Sequence, residues 1–446
     1  MDTLVMQGIR CFRSRQEVSL APLTLLVGEN STGKSTFLAA LRLAWDVLYA
    51  ESEPDFNEDP FKLGAFDNIA NYTPGKGGGR AKFFVLGGEF HNDDLTVDRQ
   101  PRLFPDDAAL GRNPRISFSV KFSEEEGQPV MRELMLCSGE YQIAASKSPG
   151  AKGVDFACLA HGKPFRFSYP HMRPASLSFC MRMGGFLLQD PNGIAMATQV
   201  PLSTHERKVL AGIALSVHRE PSPRPYATAP IRTKPERTYE PRRILLMAEG
   251  GHVPLVLART LTATSEKKVA FLKALSGFGH ACGLFEDVQV RRLGRKASDA
   301  FQIQVKISGP AFNLVDVGYG VSQALPLLVD SLLGEKRQVF LMQQPEVHLH
   351  PRAQAELATF VAHIIKVDKK TFVIETHSDH LVERVRMDVR DKRGVRPEDV
   401  TILYFQREGP EVRIYPIRID AQGNILKAPL GYRQFFLEEE RRFLKV

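Results

Sequence analysis

Residues 23–43 read LTLLVGENSTGKSTFLAALRL. Thr24 to Val27 is a short apolar, β-favouring run of the kind that makes a buried parallel strand. From Gly28 to Ser35 every fixed position of G-x-x-x-x-G-K-[ST] is filled. Thr36 to Leu43 then carries an apolar face at helical spacing. Strand, glycine loop and helix in that order make the pattern a phosphate cradle. Gly28 and Gly33 permit turns that point the N–H groups of Asn30, Ser31, Thr32 and Gly33 inward. The helix start at Lys34, Ser35 and Thr36 adds a field that favours anions. Lys34 is expected to reach the β- and γ-phosphates, and the Ser35 hydroxyl to ligate Mg2+. The stretch predicts a nucleoside triphosphate site.

A chain of 446 residues suits one large α/β domain with an insertion, or two domains. Its 43% hydrophobic and 25% charged fractions are ordinary for a globular protein. A run of about 18 apolar residues is missing, which argues against a membrane-spanning helix and a membrane partner. The N-terminus, MDTLVMQGIRCF, lacks the basic start and apolar core of a secretion signal, so a cytoplasmic location is expected. Cys11, Cys137, Cys158, Cys180 and Cys282 are scattered and form no CxxC pair, which argues against a disulfide framework or a cysteine zinc site. A net charge of +8 permits a nucleic-acid or acidic-protein partner without requiring one.

Three stretches far downstream bear on the same chemistry. Residues 314–333, LVDVGYGVSQALPLLVDSLL, set Gly318 and Gly320 ahead of Ser322 and Gln323, then an apolar helix interrupted at Pro326. N–H groups and a hydroxyl at such a helix start suit a phosphate. Residues 339–350, VFLMQQPEVHLH, read as a strand that runs into Gln343 and Gln344 and then Pro345 and Glu346. Residues 371–382, TFVIETHSDHLV, read as a strand ending at Glu375, followed by Thr376, His377 and Ser378. His348 and His350 form an H-x-H pair, but no third zinc ligand has suitable spacing, so a structural turn facing an opposite subunit is expected.

In this order the sequence resembles the ABC-type ATPases of the RecF, SMC and OLD group, especially bacterial RecF-like AAA ATPases. There a strand is followed by an E-x-P-E-x-H-L-H-P segment, a helix beginning near R-x-Q, and T-H-S. Here Gln344-Pro345-Glu346-Val347-His348-Leu349-His350-Pro351-Arg352, Gln354 and Thr376-His377-Ser378 carry the likeness. IRCFRS at 9–14, APIRTKPERTY at 229–239 and GYRQFFLEEERRFL at 431–444 extend it, so that it covers residues 1–70 and 225–446. The resemblance implies an ATPase head that binds ATP with Mg2+ and forms a homodimer, or higher homo-oligomer, with two ATPs between subunits. One subunit's P-loop would face the other's signature loop, here Gly318, Gly320, Ser322 and Gln323. That loop departs from L-S-G-G-Q, because Gly318 stands at the usual serine position. His377 falls where the family's switch histidine senses the γ-phosphate. The implied role is a nucleotide-gated sensor or regulator with a separate effector protein, in a setting such as anti-phage defence. The competing role is a DNA-binding repair ATPase of RecF type.

Hydrolysis needs Mg2+ on the β/γ-oxygens and a water in line with the γ-phosphate. The strand-end positions for both are the amides Gln343 and Gln344. An amide oxygen can contact Mg2+ or orient water, but it gives up Coulomb attraction and is a poor base. Three readings stay open. Hydrolysis survives slowly, with Gln343 at the metal, Gln344 orienting water, and Glu346 or Glu375 supplying charge. Alternatively the chain binds ATP and barely turns it over. Or a glutamate has been exchanged for glutamine so as to hold the ATP state. Glu375 has a second possible role, pairing with a nearby lysine or arginine.

Residues 81–220 contain short apolar runs broken by glycine and proline, and Ser117 to Phe122 alternates strictly, so a β-rich inserted lobe is expected. No heptad pattern is present, which excludes a long coiled-coil arm. Residues 221–243 are proline-rich and basic and read as a stiff surface connector. Its Arg232, Lys234, Arg237, Arg242 and Arg243 around Tyr239 would meet nucleic-acid phosphates with Tyr239 stacking, bind ATP phosphates, pair with acidic residues at a subunit interface, or simply solvate the linker. Residues 249–261 begin a helical segment. Residues 401–425 read as a β-hairpin extension closed by a charged helix at 435–443. No nuclease centre is evident. The expected fold is α/β, an ABC-type P-loop ATPase head with a mixed sheet and a β-rich lobe. Its core would come from residues 1–80 and 244–446, with the lobe at 81–220 and the connector at 221–243.

Overall fold

The apolar run at the start of the phosphate loop is a strand, Leu23–Gly28, whose first four residues are buried. In the computed structural model it lies inside a seven-stranded sheet rather than at an edge. The structure describes the whole chain except residues 51, 76–77, 92–114, 148–152, 170–175, 190–201, 217–222, 242, 263–265, 297, 430, 433–440 and 442–446. The chain divides into two units. One holds Met1–Leu20, Asn30–Arg224 and Gln406–Ile414; the other holds Ala21–Glu29, Pro225–Phe405 and Tyr415–Val446.

The first unit is built on an eight-stranded antiparallel sheet. Its strands run in the order Lys163–Tyr169, Val154–Ala160, Tyr141–Ser146, Gln128–Ser138, Arg115–Glu125, Phe83–His91, Thr3–Gln7 and Gln16–Ser19. Alternation explains the layering. In Arg115–Glu125 the side chains of Ile116, Phe118, Val120 and Phe122 are buried while their neighbours are not. Phe84, Phe122 and Phe56 form a ring cluster on the buried face, with Phe84 and Phe122 stacked 5.0 Å apart. The helices Lys34–Tyr49, Leu177–Gln189 and Thr204–Leu215 pack on this sheet.

The second unit holds the seven-stranded sheet, in the order Tyr226–Thr228, Val339–Gln343, Thr371–Glu375, Leu23–Gly28, Val400–Glu408, Glu411–Ile419 and Ile425–Leu426. The first five strands pair in parallel. The last two are antiparallel, so the sheet is mixed. Helices Val253–Thr262, Glu266–Cys282, Tyr319–Leu333, Pro351–Asp368 and Asp379–Arg390 supply the apolar faces that bury it. At its centre Phe340 and Phe372 stack at 5.1 Å.

Several sequence expectations change here. Val400–Phe405 pairs in parallel with the P-loop strand, so the hairpin expected at 401–425 is no extension: its first arm lies in the central sheet, beside Glu411–Ile419. Its apolar run, buried from Val400 to Leu403, demands that placement. The helix Tyr319–Leu333 runs unbroken through Pro326. Gly250 makes room for that proline, because a Cβ there would lie 2.6 Å from the Pro326 Cβ. Part of the supposed surface connector is interior: Ala227 and Thr228 are buried in the sheet's edge strand, and Arg232 is 3% exposed. Apart from Arg441, the helix expected at 435–443 lies outside the described residues, as does Arg242.

A charged cluster fixes the P-loop helix within the first unit. Arg224 donates to both carboxylate oxygens of buried Asp46 at 2.7 Å and to both oxygens of Glu58. Arg42 joins Glu58 and donates to the Asp59 carbonyl at 2.6 Å. Burial pushes the Asp46 carboxyl up, and Arg224 opposes that shift. Removing one member leaves a buried charge uncompensated. Arg224→Ala is therefore expected to lose roughly 3 kcal/mol in chemical denaturation of the whole protein. Arg224→Met with Asp46→Asn should recover much of it; a single variant no less stable than the parent contradicts the assignment.

Candidate nucleotide site

The chain passes from one unit to the other between Glu29 and Asn30, inside the glycine loop. On the strand side Gly28 has φ +140°, and a Cβ would sit 2.5 Å from the Phe405 carbonyl oxygen. In the first unit Gly33 has φ +89° and begins the P-loop helix; a Cβ there would lie 2.5 Å from Cys11 Sγ. Glycine is thus dictated twice, by backbone and by space. Arg407 donates to the Ser31 carbonyl at 2.8 Å, and Cys11 Sγ lies 3.8 Å from the Thr32 carbonyl. Arg10 donates to Thr36 Oγ1 at 3.3 Å and to the carbonyls of Leu63 and Asn68. The first turn of this helix has no side-chain cap and no acidic residue. Its N–H groups therefore suit an anion, which fits a phosphate. Thr32, Lys34 and Thr36 are buried, whereas Asn30, Ser31 and Ser35 are exposed.

In the second unit three parallel strand ends share one row. Gln343 is in register with Glu375, and Glu375 with Leu26 of the P-loop strand. The Gln344 N–H donates to the Glu375 carbonyl at 2.8 Å, and the Thr376 N–H to the Leu26 carbonyl at 3.1 Å. These bonds continue the sheet beyond the last side chains. Gln344 then takes φ +42°, which turns the chain sharply into Pro345 and Glu346. Gln343, Glu346 and Glu375 are buried; Gln344 is half-buried and His377 exposed.

Glu346 is the least comfortable group in this row. Its Oε1 accepts the His377 N–H at 2.7 Å, while Oε2 is buried with no hydrogen-bond partner among the described residues. Burial pushes its pKa up, and the His377 N–H, its own N–H, the Thr376 hydroxyl and the charge of Arg232, in that order, recover only part of that shift. Arg232 is buried too, and burial pulls its guanidinium down to about 10. It donates to the Gln323 carbonyl at 3.3 Å and the Gln344 carbonyl at 3.4 Å. One cation thereby ties the Tyr319–Leu333 helix to the QQPE turn.

Placement also differs for the signature residues. Gly318 precedes the helix and, like Tyr319, is exposed, with Gly320 half-buried. Ser322 and Gln323 are buried in the helix body, and the Ser322 hydroxyl donates to the Tyr319 carbonyl at 3.0 Å. The Ser322 hydroxyl is thus turned into its own helix, while Gly318 and Tyr319 face outward. The Tyr319 ring packs against His348, tilted by 43° with ring centroids 5.6 Å apart. His350 caps the helix Pro351–Asp368, accepting from the Ala353 N–H at 3.4 Å. Ser378 caps the helix Asp379–Arg390 and donates to Gln354 Oε1 at 2.6 Å.

Arg407 was not singled out by sequence, and Arg232 was read as a cation of the surface connector rather than as part of this row. Arg232 had one signal, a lone arginine inside the apolar APIRT stretch. Of the proposed basic and aromatic nucleic-acid face, Arg237 pairs with Asp316 at 2.6 Å and Tyr239 stacks on Phe301 at 5.7 Å, while Lys234 and Arg243 are exposed.

A carboxyl whose folded pKa lies above its ordinary value of 4.5 favours the fold fully below that value, and the contribution is lost as pH rises through the folded value. Glu346→Gln keeps an acceptor for the His377 N–H and removes the charge. Measured by denaturation at a series of pH values, the variant should gain stability relative to the parent as pH rises above 4.5. A difference that is flat with pH contradicts the assignment.

Comparison with known proteins agrees with this geometry. The AAA ATPase domain family matches residues 262–382, and the AAA domain family matches residues 3–103. Among solved structures, an SMC head bound to the C-winged helix domain of ScpA is similar at TM-score 0.46 and 10% identity, over 94% of this chain and 98% of that one. The SMC head domain from Thermotoga maritima gives TM-score 0.41 and 11% identity, over 94% and 99%. An Smc head with an extended coiled coil, bound to the C-terminal domain of ScpA and derived from Pyrococcus furiosus, gives 0.44 and 10%, over 99% of both chains. No curated protein matches by sequence. The P-loop lies inside one family match and the QQPE and T-H-S strands inside the other, so both parts of the chain match AAA-type ATPase domains, which supports an SMC/RecF-like ABC-type ATPase.

Proposed function

We propose that this chain is a slow, nucleotide-gated switch: it binds ATP with Mg2+, joins a second copy around two ATPs, and in that state signals to a separate effector protein. The observation that carries the reading is the pairing of a complete phosphate loop with a neutral strand end at Gln343 and Gln344. The uncapped, acid-free start of the P-loop helix supports triphosphate binding through Asn30 to Thr36, with Lys34 on the β/γ-phosphates. Ser35 and Gln343 are the proposed protein ligands to Mg2+. When bound, the ion would neutralise charge on the β/γ-oxygens.

The slow rate follows from what the strand end lacks. Replacing a carboxylate by an amide forgoes on the order of 4 kcal/mol of attraction per unit charge pair at 4 Å in a partly buried site. It also removes a base, an effect worth roughly 10²–10⁴ in rate. Gln344 can orient a water through its carboxamide but cannot take its proton. Glu375, in register with Gln343, is the proposed source of local negative charge. Glu346 is held by the His377 N–H, and this link is the proposed route from γ-phosphate sensing at His377 to the turn. On the facing subunit the proposed phosphate contact is the exposed backbone from Gly318 to Gly320, with Ser322 and Gln323 supporting it from inside the helix. A role in anti-phage defence rests on the family resemblance alone. For the DNA-repair alternative the exposed Lys234 and Arg243 remain available, whereas Arg232 is buried and Tyr239 is stacked on Phe301.

Single-turnover hydrolysis with purified protein tests this. Cleavage is expected to need Mg2+, to vanish with Lys34→Ala, and to run below about 0.1 s⁻¹, against typical enzyme turnover of about 10 s⁻¹. Gln344→Glu should raise the rate at least roughly tenfold by restoring a base. A fast parent, or a Gln344→Glu variant no faster than the parent, contradicts the reading.

A further inference from the structure

A cavity lies wholly in the second unit, at the opposite ends of the strands that carry Gln343 and Glu375. It measures about 720 Å³ and is lined by the starts of the Thr371–Glu375 and P-loop strands and the segment leading into Val400. Five cations face it: Lys366, Lys369, Lys370, Lys392 and Arg396. Two acidic residues, Glu398 and Asp399, also line it, and Arg396 pairs with both. Its apolar walls include Ile365, Val389 and Val395, all buried.

Helix C-termini attract lysines on their own account, because carbonyl groups converge there. That explains Lys370, whose ammonium is buried against the Ser331 and Leu332 carbonyls and pairs with Asp368. It does not explain the rest. Lys366 and Lys392 are exposed and take part in no ion pair or side-chain hydrogen bond among the described residues, and Lys369 acts on Asp399 only through space. Lys369, directly after the helix Pro351–Asp368, and Lys392, two residues beyond Asp379–Arg390, also hold left-handed backbones, φ +56° and +57°. Glycine is the residue that such positions ordinarily favour. Three like charges around one concavity repel each other until an anion enters. The volume falls in the ~300–1,000 Å³ range of small-molecule sites. Apolar walls beside lysines suit an organic phosphate better than a bare ion.

We infer that this cavity binds a free, multiply phosphorylated small molecule of about nucleotide size, at a site separate from the P-loop. The inference does not rest on the switch proposed above. Glycine supplies a test with little risk to folding, since Lys369→Gly and Lys392→Gly remove charge while suiting the left-handed backbone. The probe is inorganic tripolyphosphate, titrated calorimetrically into full-length Lys34→Ala protein so that the P-loop contributes little. Binding is expected there, and it should weaken at least roughly tenfold, a change of about 1.4 kcal/mol, when both glycine changes are added. With Lys34 intact, the double glycine variant should keep its ATP affinity and melt no lower than the parent. Absence of binding to the Lys34→Ala protein, or binding indifferent to the two lysines, overturns the inference. So does lysine-dependent binding of a single-stranded oligonucleotide without binding of tripolyphosphate, which would identify a nucleic-acid contact instead.

Discussion

Two backbone hydrogen bonds hold the nucleotide-facing end of the sheet in line: Thr376 N–H to the Leu26 carbonyl and Gln344 N–H to the Glu375 carbonyl. They extend the pairing of three parallel strands just past their last regular residues. Each strand can then turn away at a fixed height, through Gly28, Gln344 and Thr376. The positions of Gln343, Glu375, Glu346 and His377 all depend on that shared register. The register in turn depends on a row of apolar residues buried on both faces of the sheet, since a one-residue slip would move every side chain to the other face.

The charge in this region is arranged with economy. The strand that usually ends in carboxylates ends in amides, and the nearest acids are Glu375 in the adjacent strand and Glu346 in the turn. Glu346 is buried with one oxygen unpartnered, opposite an arginine that is itself buried and only partly satisfied. Such a pair is costly to keep and is sensitive to the position of either partner. Arg232 touches the carbonyls of Gln323 and Gln344, so a shift of the Tyr319–Leu333 helix is felt at the turn. The unit thus has a short physical route between the Tyr319–Leu333 helix and the QQPE turn.

The phosphate loop, the α/β class and the parallel strands were legible because each is written in consecutive residues: a glycine spacing, an apolar run, an alternation. Facing was less legible. Ser322 stood at a helix start in the sequence, and only the three-dimensional turn shows its hydroxyl folded back on the Tyr319 carbonyl. Val400–Phe405 was read as a hairpin arm because the E-G-P turn that follows it is a strong local signal, although its apolar run already resembled a buried strand. Pro326 was read as a helix break, and the compensation came from Gly250, 76 residues away in sequence (326 − 250). Arg232 looked like a surface cation because no local pattern distinguishes an arginine that backbone carbonyls draw inside.

The central claim is that ATP, and not its hydrolysis, drives assembly of two copies around the nucleotide. Light scattering of the purified protein, with and without ATP and Mg2+, tests it most directly. The account predicts that the mass rises to that of a dimer or larger oligomer with ATP and Mg2+ and persists for the lifetime of the bound nucleotide. A mass that stays at that of one chain under both conditions would contradict it.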